Sequence, residues 1–155
     1  MTVAFLVGST MGTFRWAAMA GMLTLLFAVG GYYAAAAAAG AGVSTSSLVI
    51  WGGTAIVGGP VFGGAGHAWR SATGRVRALA AALLGAVFLA EGLFTLAVVP
   101  EMAPAGWVEV VAGLVLVIVL PRSGRERAIG LVAIIPLALV GLAGFALIEQ
   151  LFMMR

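Results

Sequence analysis

Five stretches of the chain are almost wholly apolar, and short polar or basic segments separate them. They cover 16–39, 48–66, 78–99, 105–120 and 128–150, the last trailing towards Met154. A helix needs roughly 20 apolar residues to cross a bilayer core, within a range of about 17–25. Four runs meet that length. The fourth is short, so it is expected to recruit residues 102–104 or to sit in locally thinned bilayer. The pattern predicts an all-α fold: a polytopic membrane helix bundle of about five transmembrane helices plus a short apolar N-terminal segment. The length suits a single transmembrane domain over 1–155.

The separating segments are GAGVSTSS (40–47), HAWRSATGRVR (67–77), PEMAP (100–104) and PRSGRER (121–127). Such short connections make consecutive helices antiparallel neighbours. Arg15 precedes the first run, Arg70, Arg75 and Arg77 follow the second, and Arg122, Arg125 and Arg127 follow the fourth. Alternating spans bring these to one side, and short Arg-rich loops stay cytoplasmic. The expected topology is a multi-pass cell-membrane protein with 67–77 and 121–127 inside, 40–47 and 100–104 outside, and the C-terminus external. Arg155 is the exception and can snorkel at the outer interface. Segment 2–14 is apolar but too short to span, and reads as the inner tail of a helix entering from outside. A signal peptide competes, with Arg15, an apolar stretch and the alanines of 34–39 as cleavage region, but the first run exceeds a usual apolar core of about 7–15 residues.

Composition explains why lipid must be the solvent. The chain has 155 residues, of which 63% are hydrophobic and 8% charged. A soluble domain carries roughly 25% charged residues. All basic residues are Arg and all acids are Glu, with no Lys, Asp, Asn or Cys. Thiolate metal sites, disulfides and thiol nucleophiles are thereby excluded. The net charge of +3 is dispersed among apolar runs and does not point to nucleic acid.

The residues that could carry chemistry are few. The second run holds seven glycines, with Gly59 and Gly63 forming GxxxG around Pro60. Small residues at that spacing let helix backbones approach closely. Pro60 removes one helical hydrogen bond, so the segment is either a tightly packed kinked helix or a broken helix lining a solute path. Ala17 and Gly21 form a similar pair in the first run.

Glu91 is the most informative residue. It lies about eight residues, or ~12 Å, inside the outer end of the third run. A charged carboxylate at that depth costs at least about 2.5 kcal/mol, so the group is protonated, paired or in a wet cavity. A hydrogen bond to a neighbouring helix, such as to Tyr32 or Tyr33, is the structural alternative. Glu109 lies one turn inside the fourth run, Tyr32 and Tyr33 in the outer half of the first, and Glu149 and Gln150 late in the fifth. Aromatic faces near carboxylates suit an organic cation. A ligand-binding or proton-coupling set of Glu91, Glu109, Tyr32 and Tyr33 follows. Trp51 and Trp107 read as interfacial anchors. His67 and Trp69 read as interfacial residues at the inner side, and the 122–127 loop as a topology determinant with headgroup binding as second role.

GGYYAAA, SLVIWGGTAIVGGPVFGGAGHAWR, LLGAVFLAEGLF, AGWVEVVAGL and PRSGRERAIG resemble an uncharacterised bacterial integral-membrane family, domain of unknown function 6518. GGPVFG, FLAEG and SGRER are the most specific pieces. The resemblance runs from about Val3 and implies fold and topology, with no activity to carry over. Members of that family carry extra membrane sequence before the segment matching TVAFLVGS, which implies a truncated or misassigned start here.

No Walker lysine motif, HExxH, Ser–His–Asp set or Asp dyad is present. The expectation is therefore no enzyme, no metal and no cofactor. Two functions remain: a small-solute carrier or substrate-binding membrane subunit with an outward-facing site around Glu91, and a structural or assembly subunit packing through the glycines of the second run. Expected partners are the lipid bilayer and either a second copy of the chain or a partner membrane subunit.

Overall fold

The computed structural model describes residues 1–153, and the expectation for Arg155 lies outside them. The order of elements is α1 (Thr2–Thr10), α2 (Phe14–Ala38), α3 (Thr45–Ser71), α4 (Arg75–Val98), a 3₁₀ turn (Pro100–Met102), α5 (Ala103–Val119) and α6 (Gly124–Met153). There is no strand among the described residues. Five of the helices are long and apolar enough to cross a membrane. The protein is thus an all-α, multi-pass membrane protein. Its contacts divide the chain into two compact units, Met1–Arg70 and the remainder from Ser71.

Helices here outrun the apolar runs. α3 continues through His67, Trp69 and Arg70, α4 already begins at Arg75, and α6 begins at Gly124. Hydropathy marks where lipid ends, whereas a helix ends where its backbone groups find other partners. Arg70 in the last turn of α3 also suits the negative end of the helix dipole.

In the first unit, Thr13 caps α2, its hydroxyl accepting from the Trp16 N–H at 3.4 Å. The alanine run of 34–38 is helical, as alanine's high propensity dictates. α2 stops at Gly40, whose φ of +76° only glycine adopts cheaply. The Gly40 N–H donates to the Ala37 carbonyl and the Ala41 N–H to that of Ala36, a Schellman closure. Ser44 then opens α3, accepting from the Ser47 N–H at 3.4 Å. The hydroxyls of Thr24 and Thr54 donate to the carbonyls of Ala20 and Ile50, which satisfies them without water.

α3 is continuous through Pro60, so no broken helix is formed there. Its glycine face is filled from within the unit. A Cβ at Gly63 would fall on the Ala17 carbonyl oxygen, and one at Gly59 on the Met22 Cα. A Cβ at Gly8 of α1 would fall on the Gly63 carbonyl, and one at Gly66 on that of Phe5. α1 therefore lies along the lower half of α3, held further by the Phe5 and Trp69 rings, 5.8 Å apart. His67 Nδ1 lies 3.0 Å from the Met11 carbonyl oxygen and ties down the α1–α2 turn.

The second unit is built around α4. Ala82, Ala86 and Ala90 form one stripe at four-residue spacing, packed with Val117 of α5 and Ile134 and Ala138 of α6. α4 and α5 meet through glycines seven residues apart. A Cβ at Gly85 would stand 2.7 Å from the Gly113 carbonyl oxygen, and one at Gly92 2.6 Å from that of Gly106. Two antiparallel helices locked at both points leave no freedom of register.

Candidate functional site

The glycine register places the carboxylates. With Gly92 opposite Gly106 and Gly85 opposite Gly113, Glu91 stands level with residue 107 and Glu109 level with residue 89. The offset is about two residues, or ~3 Å of helix rise. Each Glu directly precedes a buried seam residue, Gly92 in α4 and Val110 in α5. Both therefore flank the same helix–helix seam, about two turns inside the 3₁₀ turn that joins the helices. They lie close enough for their charges to repel.

Their surroundings differ. Glu91 is exposed on the helix surface, and within its unit it has no hydrogen-bond or ion-pair partner. Glu109 is half-buried, and its Oε2 is fully covered without a hydrogen-bond partner. A covered, unpartnered carboxyl oxygen costs free energy that folding does not return. A second carboxyl beside it, in a segment apolar enough for lipid, raises that cost if both are charged. A proton or a cation between the two would relieve it. Among the described residues no group of three or more His, Cys, Asp or Glu could hold a metal ion.

Tyr32 and Tyr33 belong to the first unit. α2 and α3 touch at their lower halves, through Ala17, Gly21, Gly59 and Gly63, and diverge above. A cavity of about 640 Å³ opens between them, lined by Tyr32, Tyr33, Ser44, Ser47 and Trp51 among others. The two tyrosine rings meet edge to face at 5.2 Å. The structure thus pairs Glu91 with Glu109 in one unit, and Tyr32 with Tyr33 in the other. Gly59 and Gly63 lie against α1 and α2, which leaves that part of the glycine face no room for another chain. Gly52 and Gly53, one to two turns above, have nothing within 4 Å. Glu149 is half-buried, and Gln150 and Trp107 are exposed.

The hydropathy pattern did not single out a polar cluster at the basic end of the second unit. Glu126, 5% exposed, accepts from the Gly74 N–H at 2.9 Å and the Arg122 N–H at 2.8 Å. Arg77, 8% exposed, lies 3.5 Å from the same carboxylate and donates to the Ala72 carbonyl. Gly74 has a φ of +59°, where a side chain would be strained. Ser123 accepts from the Glu126 N–H at 3.3 Å, so Ser-x-x-Glu caps α6. That motif was the available signal.

A model of the family described as a family of unknown function, DUF6518, matches residues 1–151. No curated protein and no solved structure matches the chain.

Proposed function

The chain belongs to that family of unknown function, DUF6518, and we propose that it acts as a small-solute carrier or substrate-binding membrane subunit with Glu91 and Glu109 as its charged centre. The observation that carries this reading is the covered, unpartnered Oε2 of Glu109 beside a second carboxyl in a membrane-spanning hairpin. Ionisable groups inside spans are retained against a cost and mark ion or substrate paths. Two carboxyls side by side in an apolar segment favour a cationic ligand. The aromatic cavity of the first unit supports ligand binding in its own right, since tyrosine and tryptophan faces attract organic cations. The reading is one of binding or transport.

Tetraphenylphosphonium, an apolar organic cation, is a suitable probe. The purified protein in nanodiscs is expected to bind it saturably. Glu91→Gln and Glu109→Gln each keep the shape and remove the charge. Each is expected to weaken binding on the order of tenfold, with helicity unchanged. Absence of saturable binding, or binding as tight as wild type in both variants, contradicts the reading.

We further propose that loops 67–77 and 121–127 face the cytoplasm of a cell membrane and that loops 40–47 and 100–104 face outward. Contacts within the first unit bring the start of α2 and the end of α3 together, and those within the second gather the starts of α4 and α6. The chain lacks cysteine, so single cysteines report cleanly. Ser46→Cys is expected to react with an impermeant thiol reagent in intact cells, and Ser71→Cys only after lysis. The reverse pattern inverts the topology.

A further inference from the structure

The basic end of the second unit holds a cavity of about 150 Å³ between the starts of α4 and α6, lined by Gly74, Arg75, Ser123, Arg125, Glu126 and Ile129. Its frame is fixed. Glu126 joins the two helix starts through the Gly74 and Arg122 N–H groups and through Arg77. That carboxylate is already neutralised by Arg77 and faces two donors, so it does not set the charge of the cavity. Arg75 and Arg125 do. Both are exposed, and among the described residues neither makes a hydrogen bond or an ion pair. Ser123 Oγ accepts from the Glu126 N–H, which leaves its hydroxyl proton free to donate. Ile129 adds an apolar wall.

Two unpaired guanidinium groups, a hydroxyl donor and an apolar wall around a small concavity match one ligand chemistry. Guanidinium forks bind phosphate oxygens in pairs, and the serine hydroxyl completes the donor set. We infer that this cavity is a phosphate site, occupied by the headgroup phosphate of an anionic phospholipid. The site stands where the apolar part of α6 begins, at the height where headgroups lie. Free inorganic phosphate shares the chemistry and lacks the acyl chains that would lie along α6. The inference is independent of the carboxylate pair.

Native mass spectrometry of the full chain, released from detergent with phosphatidylglycerol, phosphatidylcholine or inorganic phosphate added, separates the cases. The wild-type protein is expected to retain one phosphatidylglycerol and to retain phosphatidylcholine less. The double variant Arg75→Gln, Arg125→Gln is expected to weaken phosphatidylglycerol binding on the order of tenfold, with unchanged helicity, because neither side chain has a partner to lose. Arg127→Gln, which removes one charge outside the cavity, is expected to bind as wild type does, whereas Arg125→Gln alone, which removes one charge inside it, weakens binding. Retention of inorganic phosphate with the same dependence on Arg75 and Arg125 keeps the phosphate site and replaces the lipid by the free anion. Undiminished binding by the double variant, an equal loss in Arg127→Gln, or no binding of either phosphate compound overturns the inference.

Discussion

Leucine at Gly63 is expected to destabilise the protein by roughly 1–3 kcal/mol, while leucine at Gly52 in the same helix changes it by less than about 0.5 kcal/mol. The two substitutions are chemically identical and differ only in what the new side chain meets. At Gly63 it meets the backbone of Ala17 in α2, and at Gly52 nothing lies within 4 Å. Backbone cannot rotate aside as a side chain does, so α2 and α3 must separate. Separation gives up the close packing that holds membrane helices together in the absence of a hydrophobic drive. Gly85→Leu is expected to match Gly63→Leu, since it would strike the Gly113 backbone across the α4–α5 seam. Reversible unfolding of the purified protein in detergent with added dodecyl sulfate measures all three. Equal stabilities for Gly63→Leu and Gly52→Leu would show that the glycine face is not a contact.

Removal of Glu126 is expected to lower the thermal stability more than removal of any exposed arginine in the neighbouring loop. Glu126→Ala leaves the Arg77 guanidinium buried without its carboxylate, and takes the acceptor from the Gly74 N–H. A buried charge stripped of its partner is costly, whereas removing both partners is far less so. The order expected in a thermal melt is therefore Glu126→Ala lowest, Glu126→Gln intermediate and Arg125→Gln near wild type. The double variant Arg77→Gln, Glu126→Gln should recover part of the loss, which a double-mutant cycle reads directly. A Glu126→Ala protein that melts with wild type would remove the cluster's structural role.

How much of the fold and of the carboxylate pair is legible in the sequence depends on the physics each feature obeys. The spans are legible because lipid tolerates almost no charge, so composition alone marks them. Helix ends are not, because a helix outlasts the membrane wherever caps allow: Ser123 and Glu126 start α6 within a segment that reads as a basic loop. The closeness of Gly59 and Gly63 to a neighbouring helix follows from GxxxG spacing. Which helices they meet does not, since any helix with a small-residue face fits. Gly85, Gly92, Gly106 and Gly113 are equally visible as seven-residue spacings on two adjacent runs. Their significance appears only once an antiparallel pairing puts each against its counterpart. Glu91 draws attention by depth alone. The closeness of Glu109 to it follows from the α4–α5 register, which a single run of sequence cannot display. The ion pair of Arg77 and Glu126 joins positions far apart in the chain, and an arginine-rich loop reads by default as solvated.

The claim on which the functional account rests is that Glu91 and Glu109 hold one cation together. A double-mutant cycle on tetraphenylphosphonium binding in nanodiscs, across wild type, Glu91→Gln, Glu109→Gln and the double variant, tests it directly. Carboxyls that share one ligand are coupled, so the account predicts that the double variant loses far less affinity than the product of the two single losses. Losses that simply multiply, each substitution acting as though the other residue were absent, would contradict it.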